Sequence, residues 1–221
     1  ADVRRLGVAY MKRQLRIILI VIIAAVAATA VIFAVKYIKN GGEFLTPVGT
    51  RAEFIGDTKK YPSELLTKGN AIYDSDGEKV IRGVEVPESH ELYKEKRFKE
   101  DFYDGVFKLG GNAIRVPVSP AEYKRDDYYL WRYLDRIVAW AGENGNYVII
   151  DWDYTGNPID GTGDEMPDIK DNPLDYSAEF WKAVATYFKN VPNVIYEIYN
   201  EPVGMSDSEW KRCADSLVSV I

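Results

Sequence analysis

Short apolar runs that alternate with amphipathic segments constrain the fold of this chain more than any other feature. A continuous apolar run of about six residues is typical of a strand buried on both faces, whereas apolar residues three and four positions apart indicate one face of a helix. The alternation repeats four times and predicts an α/β fold with a parallel sheet. The pattern is compatible with either an open doubly wound sheet or a barrel. No Gly-x-Gly-x-x-Gly or Walker-type loop follows a strand, which counts against nucleotide binding. The predicted strands are 81–86, 113–116, 147–152 and 194–200, and the predicted helices are 96–109, 127–143, 178–189 and 206 to the end.

Turn and cap signals refine these bounds. The segment Asp74–Gly77 separates two β-like runs and predicts a hairpin. Pro117 is expected to end the second strand, and Ser177 to cap the third helix. The segment 206–209 reads Ser-x-x-Glu and predicts a capping box at the start of the last helix. The region 153–175 is rich in Asp, Gly and Pro, and a loop of that length in a compact domain is usually functional.

A membrane segment is predicted near the N-terminus. Ile17–Val35 is a run of 19 residues without a charge, and as a helix it is about 28 Å long, close to the thickness of a bilayer core. Five Lys or Arg residues precede the run and two follow it, so the N-terminal side is expected to stay cytoplasmic and the rest of the chain extracellular. We favour a retained anchor over a cleaved signal peptide, although Ala28-Thr29-Ala30 resembles a signal-peptidase site. The predicted organisation is a basic cytoplasmic tail at 1–16, a transmembrane helix or signal anchor at 17–36, a linker at 37–64 and the α/β part at 65–221.

Charge and composition exclude several classes of partner. Residues 1–40 hold seven Lys or Arg against one Asp, a balance of +6, and the remaining 181 residues hold 21 basic and 33 acidic groups, a balance of −12. A body this acidic is expected to repel nucleic acid, whereas a neutral polysaccharide would feel no repulsion. With one His and one Cys in the chain, a zinc site built from nitrogen and sulfur ligands is not expected. We therefore predict no metal and no cofactor.

The segment Asn200-Glu201-Pro202 carries the clearest catalytic signal. Hydrolysis of a glycosidic bond needs one carboxylic acid to protonate the leaving oxygen and a second carboxylate as nucleophile or base. Glu201 follows a predicted buried strand, and α/β sheets and barrels both place their active sites at the carboxyl ends of strands. Pro202 is expected to hold Glu201 extended and to end the strand there, and Asn200 offers a neutral donor and acceptor for a sugar hydroxyl.

Four ordered segments extend this signal into a family resemblance. They are Gly69–Val84, Asn112–Val118, Tyr147–Trp152 and Asn193–Pro202, the last reading Asn-Val-Ile-Tyr-Glu-Ile-Tyr-Asn-Glu-Pro. They resemble the opening hairpin with the first strand, and the second, third and fourth strands, of glycoside hydrolase family 5, the cellulase and mannanase family of (β/α)8 barrels. The resemblance runs from about Leu66 to the C-terminus and implies a (β/α)8 TIM barrel. Only about the first four βα units of that barrel are present, behind a transmembrane helix and a β-hairpin.

The resemblance implies roles for individual residues. Glu201 would be the acid/base and Asn200 would hydrogen-bond the sugar 2-hydroxyl. Arg115 would orient the nucleophilic carboxylate and keep it ionised, and Trp152 could stack on a sugar face. Asp153 stands where the family usually has His, and a carboxylate there is expected to alter the sugar contacts.

The second carboxylate of the family is not found in these 221 residues. The family's nucleophilic Glu lies on the seventh strand, whereas the chain given ends after the fourth strand and its helix, and Glu209 falls in that helix. We therefore predict the N-terminal part of a membrane-anchored, extracellular, retaining glycoside hydrolase that acts on β-linked polysaccharide, as a cellulase-like endoglucanase does. These residues alone are predicted to be inactive. Two alternatives remain: a non-catalytic carbohydrate-binding or scaffold protein of the same fold, or another barrel glycosidase such as a xylanase, mannanase or β-galactosidase.

Overall fold

The computed structural model describes residues 53–163 and 173–221, which belong to one unit spanning Gly49–Ile221. The predicted cytoplasmic tail, the membrane segment Ile17–Val35 and the first part of the linker lie outside the described residues. Within the described ranges, no helix is both long and apolar enough to cross a bilayer.

Short strands and helices alternate along the described chain. The strands are β1 Leu66–Lys68, β2 Ala71–Asp74, β3 Gly77–Lys79, β4 Gly83–Glu85, β5 Ala113–Val118, β6 Tyr147–Trp152, β7 Thr155–Gly156, β8 Val194–Glu197 and β9 Glu201–Pro202. The helices are α1 Ser89–Lys94, α2 Glu100–Phe107, α3 Pro120–Arg125, α4 Asp135–Glu143, α5 Pro173–Tyr187 and α6 Asp207–Val218. A 3-10 turn at Thr58–Lys60 precedes β1, and a π-helical turn at Leu130–Leu134 leads into α4.

The central layer is a parallel sheet in the order β4-β5-β6-β8. Helices connect its successive strands, because a parallel crossover must return the chain to the same end of the sheet. Before it, β1, β2 and β3 form an antiparallel sheet, and the β2–β3 hairpin turns at Asp74–Gly77 as predicted. The predicted parallel α/β fold is confirmed: the described strands supply four parallel members of one sheet, preceded by a hairpin.

One face of the parallel sheet packs against helices and forms the core. Side chains alternate across a strand, so Val116 and Ile150 point to the same face, and both are fully buried. Trp152 continues that face and stacks on Phe180 of α5, with ring centroids 4.2 Å apart. Burial of these apolar side chains against the helices stabilises the sheet and fixes its strand register. The opposite face is therefore the one that carries the polar side chains described below.

Pro117 corrects one predicted boundary, because β5 continues through it to Val118. The carbonyl of Arg115 accepts the Val86 amide on the β4 side, and Pro117, two residues on, directs its backbone to that same side. Since β4 ends at Glu85, no neighbouring strand requires an N–H from Pro117. A proline is tolerated in a strand where its missing donor faces no partner.

The helix that follows β7 also differs from its prediction. It begins at Pro173 rather than 178, so Ser177 lies within α5 and does not cap it. The Ser177 hydroxyl donates to the Pro173 carbonyl at 2.7 Å. It also accepts the indole N–H of Trp152, 2.7 Å away, and this long-range contact fixes where the helix packs.

Other bounds also differ from their predictions. The predicted strand 194–200 is shortened to β8, and the short strand β9 that follows it pairs with β7, which lies inside the predicted loop 153–175. The predicted helix 96–109 is shortened to α2, and α1 was missed. The capping box at Ser206 and Glu209 is confirmed, with the Ser206 side chain accepting the Glu209 amide and the Glu209 carboxylate accepting the Ser206 amide.

Candidate active site

Polar side chains collect on the face of the parallel sheet that is turned away from the helices. In the strand register, Glu85 lies beside Arg115, and Asp151 lies beside Glu197 one layer nearer the carboxyl ends. Because all four strands are parallel, their carboxyl ends lie at the same edge of the sheet, and Glu201 follows the end of β8 at that edge. Sites in α/β sheets and barrels form at this edge.

Arg115 is the cation that organises this face. Its Nε and Nη2 atoms donate to the two carboxylate oxygens of Glu197, each at 2.8 Å, in a bidentate pair. Nη2 also donates to Asn200 Oδ1 at 2.9 Å, and Nη1 donates to Glu85. Hydrogen bonding to Glu197 is the largest cause that raises the pKa of Arg115, so the guanidinium stays charged. The structure thus places Arg115 in a network of carboxylates, where its role in orienting a nucleophile remains a prediction.

Asp151 also belongs to this network, and the sequence analysis did not identify it as a site residue. Its side chain is fully buried, and one oxygen lies 3.0 Å from Arg115 Nη2. The contact lacks hydrogen-bond geometry, and neither oxygen accepts a hydrogen bond from the described residues. Burial raises the pKa of Asp151 to about 8, against the opposing effect of the nearby guanidinium. The alternation of β6 was the signal available, since Asp151 is two residues beyond Ile149, which pairs in register with Arg115.

Asn200 and Asp153 form the next contact towards the carboxyl edge. The side-chain amide of Asn200 donates from Nδ2 to Asp153 Oδ1 at 3.0 Å. Asp153 is half-buried, and its burial raises its pKa, while the positive charge of Arg115 opposes the shift. The structure therefore brings three predicted site residues, Arg115, Asn200 and Asp153, into one hydrogen-bonded chain.

Glu201 lies at the outermost position of this edge and is exposed. It is held by main-chain pairing, because β7 and β9 align Thr155 opposite Glu201 and the Glu201 amide donates to the Tyr154 carbonyl at 3.1 Å. The Thr155 hydroxyl donates to Glu201 Oε2 at 3.2 Å. Thr155 was missed in the sequence, where it lies within an apparently irregular loop. An exposed carboxyl on a fixed backbone is accessible to a substrate oxygen.

Trp152 does not fit the sugar-stacking role predicted for it. Its side chain is fully buried on the helix side of the sheet, where its indole N–H donates a hydrogen bond to Ser177 and its ring stacks on Phe180. Adjacent strand residues face opposite sides, so the placement of Asp151 on the polar face turns Trp152 into the core.

A candidate metal cluster exists near this edge but has internal partners. Ligand atoms of Glu88, His90 and Glu91 lie within 4.8 Å of one another. His90 Nε2 lies 3.0 Å from a Glu122 carboxylate oxygen, and Glu91 accepts from Lys94 at 3.1 Å. These contacts engage His90 and Glu91, whereas Glu88 Oε1 is buried and has no hydrogen-bond partner among the described residues.

Together, the fold and the site define a class of protein. The β/α sheet carries an arginine–carboxylate network and an accessible glutamate at its carboxyl edge, which is where proteins built from parallel β/α units form their sites.

Comparison with known proteins gives the family. The family model described as cellulase (glycosyl hydrolase family 5) matches residues 73–221, and the chain belongs to this family.

Named relatives agree with that assignment. Endoglucanase A of Butyrivibrio fibrisolvens is 30% identical over 175 residues, which cover 73% of this chain and 37% of that protein. The crystal structure of the β-glucanase SdGluc5_26A from Saccharophagus degradans superposes with a TM-score of 0.69 at 27% identity, covering 80% of this chain and 55% of that one. Endoglucanase Cel5A of Thermobifida fusca shares the fold, with a TM-score of 0.59 at 23% identity over 74% of this chain and 51% of that chain. The chain therefore spans roughly a third to a half of the length of these proteins.

Proposed function

We propose that the whole protein containing this chain hydrolyses a β-linked glucan with retention of configuration, and that Glu201 is its acid/base. The observation that carries the proposal is the position of Glu201 in a family 5 chain. It is exposed at the carboxyl edge, fixed by the β7–β9 pairing and next to Asn200. In the first step, the Glu201 carboxylic acid gives its proton to the glycosidic oxygen while a second carboxylate bonds to the anomeric carbon and the glycosidic C–O bond breaks. In the second step, the Glu201 carboxylate takes a proton from the water that attacks the anomeric carbon and displaces the second carboxylate.

The nucleophile is expected from a segment outside these 221 residues. A retaining enzyme places its second carboxylate about 5–5.5 Å from the acid. On this edge of the described chain, Glu197 and Glu85 are bound to Arg115, and Asp153 is bound to Asn200. Carboxylates with structural partners of this kind are poorly suited to form a bond to the sugar, and we expect a further glutamate to complete the site.

The proposed substrate class follows from the relatives. The relative from Butyrivibrio fibrisolvens is named an endoglucanase, and SdGluc5_26A has been crystallised in complex with cellotetraose. The acidic part of the chain would not repel a neutral glucan, and the polar face offers neutral and anionic acceptors for sugar hydroxyls. We therefore propose a cellulose-like β-glucan as the substrate.

The test is reducing-sugar release by the whole protein from β-glucan, xylan and mannan, with Glu201→Gln as the matched variant. The proposal expects release from β-glucan above the other two, and β-configured products in the first minutes of reaction. Preferential release from xylan or mannan would favour another glycosidase. Binding of β-glucan without release would favour a non-catalytic carbohydrate-binding protein.

We also propose that Ile17–Val35 anchors the protein in a membrane with the hydrolase part outside the cell. The support is the uncharged 19-residue run and the larger number of basic residues on its N-terminal side. Membrane fractionation and protease treatment of intact cells test this. Recovery of the full-length protein in the soluble medium would contradict a retained anchor.

A further inference from the structure

The side-chain amide of Asn200 lies between a cation and a carboxylate. Arg115 Nη2 donates to its oxygen at 2.9 Å, and its nitrogen donates to Asp153 Oδ1 at 3.0 Å. A guanidinium has only donors and an ionised carboxylate only acceptors, so the two neighbours fix which end of the amide is oxygen and which is nitrogen. The orientation of Asn200 is thus dictated chemically from both sides.

Main-chain hydrogen bonds hold Asp153 and Asn200 in these places. The backbone N–H of Asn200 donates at 3.1 Å to the carbonyl of Trp152, the residue before Asp153. The backbone N–H of Asp153 donates to the Val118 carbonyl at 3.2 Å. The backbone of Asn200 is therefore hydrogen-bonded to the end of β6, and the backbone of Asp153 to the end of β5. The Asp153–Asn200 contact rests on the sheet and does not depend on a flexible side chain finding its partner.

We propose that Asp153 is a positioning residue that acts through Asn200. Its carboxylate accepts one N–H of the Asn200 amide and thereby leaves the second N–H directed for a sugar hydroxyl. This role rests on the proposed function, and it specifies how the carboxylate of Asp153 would alter the sugar contacts. It also gives a physical reason for an acid at this position, because an acceptor is required opposite the Asn200 nitrogen.

The surrounding charges favour an acceptor role over a catalytic one. Asp153 lies in the field of the Arg115 cation and of the carboxylates of Glu85, Glu197 and Glu201, and its Oδ1 is occupied by the amide. An asparagine at 153 could keep the contact, since its own oxygen can accept the Asn200 N–H while its NH2 group turns to the nearby carboxylates. An alanine cannot keep it. The two variants therefore separate the acceptor from the charge.

The test is a double-mutant cycle in the whole protein, measured as kcat and KM on β-glucan. We expect Asp153→Ala to lower kcat/KM about tenfold, the effect of one lost hydrogen bond, with more of the loss in kcat than in KM. Asp153→Asn should recover activity to within about threefold of wild type. In an Asn200→Ala background, Asp153→Ala should cost less than about twofold, because its partner is already gone. A merely structural role would not produce this loss of additivity.

Two kinetic results would overturn the proposal: a tenfold loss from Asp153→Ala in both backgrounds, or a loss from Asp153→Asn equal to that from Asp153→Ala. The side-chain ¹⁵N–¹H resonances of Asn200, assigned with Asn200→Ala, give a readout that does not depend on turnover. Asp153→Ala should shift them, and unshifted resonances would also overturn the proposal. If the wild-type protein releases no sugar, the proposed function fails, and shifted resonances still support the positioning contact.

Discussion

Replacement of Arg115 by Met is expected to destabilise the protein strongly near neutral pH. The guanidinium makes two hydrogen bonds to Glu197 at 2.8 Å, one to Asn200 at 2.9 Å and one to Glu85. It is also the cation 3.0 Å from the buried Asp151. Methionine fills a similar volume but leaves all of these acceptors without a donor.

The magnitude follows from burial. Charge-assisted hydrogen bonds contribute about 1.5–3 kcal/mol each, but the side chains of Arg115 and Glu197 are 23% and 34% exposed, so solvent screening reduces each contribution. Because burial already raises the pKa of Asp151 to about 8, that group meets the loss of the cation largely by keeping its proton. We expect a decrease of about 3 kcal/mol in the free energy of unfolding, at the lower end of the range for a broken buried pair.

The assay is urea-induced unfolding followed by circular dichroism at pH 5 and pH 8. The loss should be larger at pH 8, where more carboxylates are ionised, and Arg115→Lys should lose an intermediate amount because an ammonium cannot make the bidentate pair. The control is Lys211→Met, which removes an exposed pair with Asp215 one helical turn away and should change stability by less than about 0.5 kcal/mol. An Arg115→Met variant as stable as this control would refute the reasoning.

Three further predictions concern the core and the extent of the chain. An unfolded Asp titrates near 4 and folded Asp151 near 8, so the folded state binds this proton more tightly and wild-type stability should fall as pH rises between these values. Asp151→Asn should flatten that fall and be more stable than wild type at pH 9, by on the order of 2 kcal/mol, in denaturant titrations; an unchanged pH profile would contradict this. Ser177→Ala removes the acceptor of the buried Trp152 N–H and should lower stability by about 1–3 kcal/mol in urea titrations, while β-glucan binding remains; unchanged stability would show that the bond contributes nothing. The 221 residues expressed alone should release no reducing sugar from β-glucan, and measurable turnover would contradict the need for a further carboxylate.

The sequence predicted the elements that depend on local pattern. The apolar runs at 113–116 and 147–152 gave central strands because burial on both faces requires continuous apolar residues. The same alternation placed Glu201 directly after the fourth strand, whereas β8 ends at Glu197 and Glu201 begins the short strand β9. The capping box at 206–209 was readable because both partners lie within one helical turn.

Contacts between distant residues were not readable in the same way. Asp153 and Asn200 are 47 residues apart, and Trp152 and Ser177 are 25 apart, so their pairing depends on strand register and helix packing. The contact of Thr155 with Glu201 depends on the β7–β9 pairing, and the sequence of a polar loop does not reveal a strand of two residues. The continuation of β5 through Pro117 could be predicted only by knowing that the neighbouring strand β4 ends at Glu85.

The central claim is that Glu201 protonates the leaving oxygen, and leaving-group dependence tests it most directly. The measurement is kcat/KM of wild type and Glu201→Gln on β-glucan and on a dinitrophenyl β-cellobioside, whose phenolate departs without a proton. The account predicts a loss of about 10²–10⁴-fold on β-glucan and a much smaller loss on the aryl substrate. Equal losses on both substrates, or full activity of Glu201→Gln on β-glucan, would contradict it.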